Sequence, residues 1–98
     1  MKFSVEWTGE ANQTFIHTLK QIREKWTERE VGNFIARAEK VIELISQNPT
    51  LYPYSKIGVV HRAVISKQTT LYYHIAAGNK IVLLSFEDNR QDPTKLKY

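Results

Sequence analysis

Residues 59–90 read VVHRAVISKQTTLYYHIAAGNKIVLLSFEDNR, and this stretch decides the fold. Three segments within it, 59–65, 71–76 and 80–86, are rich in β-branched and aromatic residues, which favour β-strands. Between the last two segments, the sequence Ala-Gly-Asn at 77–79 supplies the small and turn-forming residues of a tight reversal. We therefore predict three consecutive strands, of which the last two form a hairpin.

The residues before this stretch predict one more strand and two helices. Residues 2–7 alternate between polar and apolar side chains, which is typical of a strand with one buried face. Thr8 is then the predicted N-cap of a helix. Thr27, with Glu30 three residues later, has the capping-box pattern that begins a second helix. This helix is expected to end before Pro49, because the residue preceding a proline disfavours helical geometry.

Each predicted helix carries an apolar stripe, so the two helices should pack as a hairpin on another apolar surface. The stripe residues are Phe15, Leu19, Ile22 and Trp26 in the first helix, and Val31, Phe34, Ile35, Ala38, Val41, Ile42 and Ile45 in the second. The sequence therefore predicts an α+β fold in which strand, helix, helix and three strands follow in order. The helical hairpin packs on one face of a four-stranded, mainly antiparallel sheet.

The sequence also bears on the direction of the second strand and on the pairing partner of the first. If the chain reverses at each connection, the second strand runs antiparallel to the first. The first strand could pair with either the second or the fourth. Because no linker or internal repeat interrupts the sequence, residues 1–98 are expected to form a single domain.

Side-chain direction follows from the period of a strand, in which neighbouring residues point to opposite faces. If Arg62 faces away from the helices, then His61 faces toward them. On the third strand, Tyr73 is expected to face the helices, whereas Tyr72 and His74 face away. The sheet surface without helices therefore collects an arginine, a tyrosine and a histidine.

Composition restricts the classes of function. The chain has no cysteine, which excludes disulfides and thiolate metal sites, and its three histidines show no zinc-site spacing. The longest aliphatic run, residues 81–84, is far too short to cross a bilayer. We therefore expect a cytoplasmic protein without a membrane partner, a metal or another cofactor.

The net charge of +4 is confined to the second half of the chain. Residues 1–48 contain seven Lys or Arg and seven Glu, whereas residues 49–98 contain seven Lys or Arg and three acidic residues. Such asymmetry predicts a polyanionic or acidic partner for the second half.

Three pieces of the sequence resemble the RelE/ParE toxin superfamily. "VEWTGEA" at 5–11 looks like its opening strand and Thr-capped helix, and "VVHRAVISKQTTLYYHI" at 59–75 looks like its central hairpin. "IVLLSFEDNRQDPTKL" at 81–96 is similar to its last strand and Arg-x-Asp-Pro exit, which is common in plasmid-stabilisation proteins. The order of elements also matches. The resemblance implies a toxin of a type II toxin–antitoxin system, neutralised by an antitoxin protein.

The resemblance leaves the target of the toxin open. RelE-like members cleave messenger RNA on the ribosome, ParE-like members inhibit DNA gyrase without being nucleases, and an inactive member would only bind its antitoxin. The first of these, a metal-independent endoribonuclease, is our leading prediction. In that chemistry the 2′-hydroxyl attacks phosphorus and leaves a cyclic phosphate.

This chemistry needs a base, cationic phosphate ligands and an acid, and the sequence offers candidates for each. Arg62 and Arg90 stand at the family's arginine positions and are the predicted phosphate ligands. His74 could act as acid or base. Tyr98 lies near the position at which ribonuclease members place a Tyr or His. The structural alternative for the arginines is an ion pair, with Asp92, Asp88 or Glu87.

A second set of residues is predicted to bind RNA or the antitoxin. They are the lysines of the basic half, together with a tyrosine that could stack on a base: Lys56, Lys67, Lys95, Lys97 and Tyr72.

Overall fold

The computed structural model describes residues 2–91 and 93–98, and it confirms the predicted order of elements. These are β1 (Ser4–Trp7), α1 (Gly9–Lys25), α2 (Glu28–Gln47), β2 (His61–Ser66), β3 (Thr69–Ala76) and β4 (Lys80–Asp88), followed by a 3₁₀ turn (Pro93–Lys95). Both helices pack against one face of a four-stranded sheet, as expected for an α+β fold.

The strand order is β1-β4-β3-β2, so the first strand pairs with the fourth. This pairing is parallel, whereas the β2–β3 and β3–β4 pairings are antiparallel, which confirms a mainly antiparallel sheet. Gly78 and Asn79, in the turn between β3 and β4, both have positive φ, as a tight hairpin turn requires.

The predicted antiparallel relation between β1 and β2 is wrong, because the chain does not reverse between β1 and α1. Thr8 alone separates these two elements, and α1 continues along β4 in the direction of the strand. Thr8 N–H donates to the Leu83 carbonyl at 3.2 Å, and nearly two helical turns later the Thr14 hydroxyl accepts from Phe86 N–H at 2.9 Å. The two later reversals then leave β2 running in the same direction as β1.

The two predicted helix caps differ in the structure. The Thr8 hydroxyl accepts from Ala11 N–H at 3.0 Å and donates to the Leu83 carbonyl at 2.8 Å, so it caps α1 and ties it to β4. Thr27 is the N-cap residue of α2, but its side chain makes no capping hydrogen bond. The predicted capping box with Glu30 is therefore wrong. This corner is exposed, so water can satisfy the first-turn amides.

The core lies between the helical stripes and the inner face of the sheet. Its buried residues are Ala11, Phe34, Ala38, Ile45, Ala63, Ile65, Leu71, Tyr73, Ile81, Leu83 and Phe86. Trp26, predicted to belong to the α1 stripe, is 61% exposed. It is the C-cap of α1 with an extended backbone, so the end of the helix at Lys25 removes its side chain from the stripe.

A bulge in β4 determines which of its side chains face away from the helices. Tyr72 pairs with Ser85 but Tyr73 pairs with Leu83, so Leu84 is the extra residue. Ile81 and Leu83 face the core before the bulge, and Phe86 does so after it. Ser85 and Glu87 consequently lie on the opposite face.

Among the described residues, no helix is long and apolar enough to cross a membrane.

Candidate functional site

The sheet surface that faces away from the helices, here called the outer face, carries the candidate site. Arg62 on β2, Tyr72 on β3 and Ser85 on β4 are neighbours across the three strands. His74 occupies the next outward position on β3, and Glu87 the next on β4. The predicted outward direction of Arg62, Tyr72 and His74 is thus what the strand register gives.

Residues 96–98 lie across this face and are held at three points. Lys56 Nζ donates to the Leu96 carbonyl at 2.6 Å. The Tyr98 ring stacks on the Tyr72 ring with a centroid separation of 5.6 Å. Lys97 Nζ lies 3.2 Å from both carboxylate oxygens of Glu10, and the Tyr98 hydroxyl lies 3.4 Å from Oε1. Glu10, in the first turn of α1, therefore anchors the segment.

Burial under this segment changes the electrostatics of both tyrosines. Burial raises the pKa of Tyr72, and the nearby Arg62 guanidinium opposes that effect only in part. Burial also raises the pKa of Tyr98, and the Glu10 carboxylate raises it further. The hydrogen bond to Glu10 raises the pKa of Lys97. Both phenols therefore keep their protons at neutral pH.

A cleft of about 500 Å³ opens beside residues 96–98, lined by Glu10, Glu87, Gln91, Lys95 and Lys97. Glu10 and Lys97 neutralise each other across it. Glu87 accepts a hydrogen bond from the Ser85 hydroxyl. Within the described part of the chain, neither Glu87 nor Lys95 has an ion-pair partner. The cleft therefore presents one unpaired carboxylate and one unpaired ammonium group.

Arg62 is the exposed guanidinium of the outer face. Residues 2–91 and 93–98 provide it with no ion-pair partner. Its charge acts on the Tyr72 phenol, as does that of Glu87. Within the described residues, a guanidinium without an ion pair and a carboxylate whose hydrogen bond comes from the Ser85 hydroxyl thus flank the same tyrosine.

Arg90 is not brought to Arg62. Its guanidinium binds the Asp88 carboxylate, with Nε–Oδ1 at 3.0 Å and a second nitrogen 2.8 Å from Oδ2, and these hydrogen bonds lower the pKa of Asp88. Both residues border a small cavity with Gln21 and Lys25 of α1, on the helical side of the sheet. Of the three acidic partners considered, Asp88 is the one observed, and Asp92 lies outside the described residues.

Two other predicted residues lie apart from the cleft. His74 is half-buried on the outer face and pairs with Val82 across the strands. Lys67 lies at the turn between β2 and β3, beside Trp26 and a different cavity. His61 faces inward as predicted, with Nδ1 2.8 Å from the Tyr52 carbonyl oxygen.

Glu10, Ser85 and Glu87 were not among the predicted site residues. Glu10 carried a usable signal, since a Thr-capped helix following a strand places its first turn beside the sheet edge. Ser85 and Glu87 carried none, because simple alternation from Ile81 and Leu83 predicts that both face the core. Nowhere in the described ranges does a group of three or more His, Cys, Asp or Glu residues form a set that could hold a metal ion.

No protein-family model matches the chain, and no curated protein matches its sequence. Among solved structures, the fold is similar to that of a chain in the crystal structure of the toxin–antitoxin complex RelBE2 from Mycobacterium tuberculosis, with a TM-score of 0.59. That match covers 91% of this chain and 100% of the other, at 16% sequence identity. At this identity the similarity establishes the fold alone.

Proposed function

We propose that this protein is the toxin of a toxin–antitoxin system and that it cleaves RNA on the ribosome, in the cytoplasm, without a metal. The observation that carries the proposal is the placement on the outer face, beside Tyr72, of the Arg62 guanidinium and the Glu87 carboxylate, neither of which has an ion pair among the described residues. The fold shared with a chain of a toxin–antitoxin complex supports the first part. The same comparison motivates an antitoxin protein as partner.

The roles follow from the chemistry of each group. Arg62 binds the non-bridging phosphate oxygens as a two-pronged donor. Glu87 removes the proton of the 2′-hydroxyl, whose oxygen attacks phosphorus and forms a 2′,3′-cyclic phosphate. The bond to the 5′-oxygen breaks, and Lys95 gives that oxygen a proton. A base and an oriented donor each contribute about 10²- to 10³-fold or more.

Tyr98 is assigned to binding. Its hydroxyl lies 3.4 Å from Glu10 Oε1 and is therefore engaged within the chain. Its ring, stacked on Tyr72, extends an aromatic surface on which a base can lie. Lys56 and Lys97 hold residues 96–98 in place. They therefore act on RNA through the position of Tyr98.

The test is purified protein added to translating ribosomes, with mapping of RNA ends and EDTA present. We expect Arg62→Ala and Glu87→Gln each to lower the cleavage rate by about 10²-fold or more. Arg29→Ala and Glu39→Gln, on the exposed face of α2, are the matched controls and should cut at the wild-type rate. Arg90→Ala should also retain cleavage, since Asp88 holds Arg90 away from the outer face. Wild-type cleavage by Arg62→Ala would disprove this site.

A second candidate is inhibition of DNA gyrase without nuclease activity. It is favoured by the placement of Arg90, which leaves the outer face with one of the two arginines that the RelE-like pattern implies. A supercoiling assay separates the two functions. If the protein inhibits gyrase and leaves ribosome-bound messenger RNA intact, gyrase inhibition replaces RNA cleavage as the function. Growth arrest on induction without antitoxin would distinguish either toxin from an inactive, antitoxin-binding member.

A further inference from the structure

Another cavity lies where the corner between α1 and α2 meets the turn between β2 and β3. Its volume is about 210 Å³, and Ile22, Phe34 and Trp26 provide its apolar surface. Arg37, Lys67 and Glu30 lie around it. We call this set of six residues the Trp26 groove.

Trp26 is the most unusual feature of the groove. Its side chain is 61% exposed, whereas Trp7, the other tryptophan, packs against Phe15 and Phe86. Folding therefore leaves most of a large indole ring in water, next to the inward-facing Phe34. Tryptophan and arginine in such a setting are the residues that most often dominate protein–protein binding energy.

The charges around the groove are available to a partner. Across the described ranges, neither Arg37 nor Lys67 has an ion pair. The lysines that hold residues 96–98 differ, because Lys97 is paired with Glu10 and Lys56 binds the Leu96 carbonyl. An acidic partner therefore gains more from the groove than from those internally satisfied lysines.

We propose that the Trp26 groove binds an acidic segment of a partner protein, which inserts one leucine- or phenylalanine-sized side chain against Trp26 and Phe34. Carboxylates flanking that side chain meet Arg37 and Lys67. The volume is below the roughly 300 Å³ at which small-molecule pockets begin, and it suits one or two side chains. The proposal is independent of whether the chain cleaves RNA.

Two other occupants fit less well. A second copy of this chain that met the groove with its own groove would bring Arg37 and Lys67 against the same basic residues. A nucleic acid could stack on only one exposed ring in the groove, Trp26, whereas single-strand binders usually offer several.

The experiment uses the full chain and three blocked peptides, acetyl-Glu-Asp-Leu-Leu-Glu-Asp-amide, its Lys-for-acid counterpart and its Ser-for-Leu counterpart. Binding is followed by the Trp26 indole N–H signal in NMR, assigned with Trp26→Phe. We expect the acidic leucine peptide to shift this signal, with affinity falling as salt rises, and the other two peptides to bind at least about tenfold more weakly.

Charge reversal at the groove provides the internal test. Arg37→Glu and Lys67→Glu should each weaken the acidic peptide about tenfold, whereas Arg29→Glu on the same helix should leave its affinity unchanged. Circular dichroism checks that these exposed substitutions leave the fold intact. Equal affinity in all three variants, peptide shifts confined to the outer face, or tighter binding of a single-stranded oligonucleotide at Trp26 would each overturn the proposal.

Discussion

Thr8→Ala tests the connection between β1 and α1, which consists of Thr8 alone. This connection sets where α1 begins and therefore where Glu10 lies. The substitution removes the hydroxyl that accepts from Ala11 N–H and donates to the Leu83 carbonyl. Loss of the cap costs about 0.5–2 kcal/mol, and loss of the second hydrogen bond about 0.5–1.5 kcal/mol. The Leu83 carbonyl still accepts from Thr8 N–H, so it is not left without a partner. We therefore expect a destabilisation of about 2 kcal/mol.

The assay is urea unfolding followed by circular dichroism. With an m value of about 1.5 kcal/mol/M, the midpoint should fall by about 1.3 M while m itself stays constant. Thr8→Ser retains the hydroxyl and should stay near the wild-type midpoint. Thr27→Ala is the matched control: Thr27 is also an N-cap residue but makes no side-chain capping bond, so its loss should cost less than about 0.5 kcal/mol. Equal destabilisation by Thr8→Ala and Thr27→Ala would refute the reasoning.

Three further predictions concern the anchored segment and the Asp88–Arg90 pair. Glu10→Gln should release residues 96–98, seen as lower NMR order parameters for Tyr98, whereas Glu6→Gln at the exposed bond to Lys80 should not. Because the pKa of Tyr98 is raised in the folded state, its contribution to stability is complete below about pH 10 and is lost as pH rises through the raised pKa. An absorbance titration of the wild type, compared with Tyr98→Phe, measures that raised pKa. Because the pKa of Asp88 is lowered in the folded state, the stability that its carboxylate contributes is present above pH 3.8 and is lost as pH falls through the lowered pKa. The stability difference between wild type and Asp88→Asn should accordingly shrink in acid urea titrations.

The fold could be predicted because its main determinants are local. The two apolar stripes apart from Trp26, strand alternation outside the β4 bulge and the Thr8 cap are each read from a few neighbouring residues, and these agree with the structure. The relative direction of β1 and β2 depends instead on Thr8, the one residue between β1 and α1. The prediction assumed that the chain reverses direction at every connection, and a connection of one residue is too short for a reversal.

The site was less predictable, because it depends on one extra residue in β4. Without the bulge at Leu84, Glu87 would follow Ile81 and Leu83 into the core, where an unpaired carboxylate is costly to bury. No residue type in the sequence marks Leu84 as bulged. Arg90 shows the opposite case: the sequence resemblance predicts a role for it at the site, but Asp88 holds its guanidinium on the helical side of the sheet.

The excess positive charge of the second half therefore serves more than one surface. Arg62 and Lys95 stay free at the outer face and its cleft, Lys67 lies at the Trp26 groove, and Lys97 is used internally by Glu10. A partner bound in the groove alone would leave Arg62 exposed. A partner that covers both surfaces must therefore pass from the helical side of the sheet, where the groove lies, to the outer face.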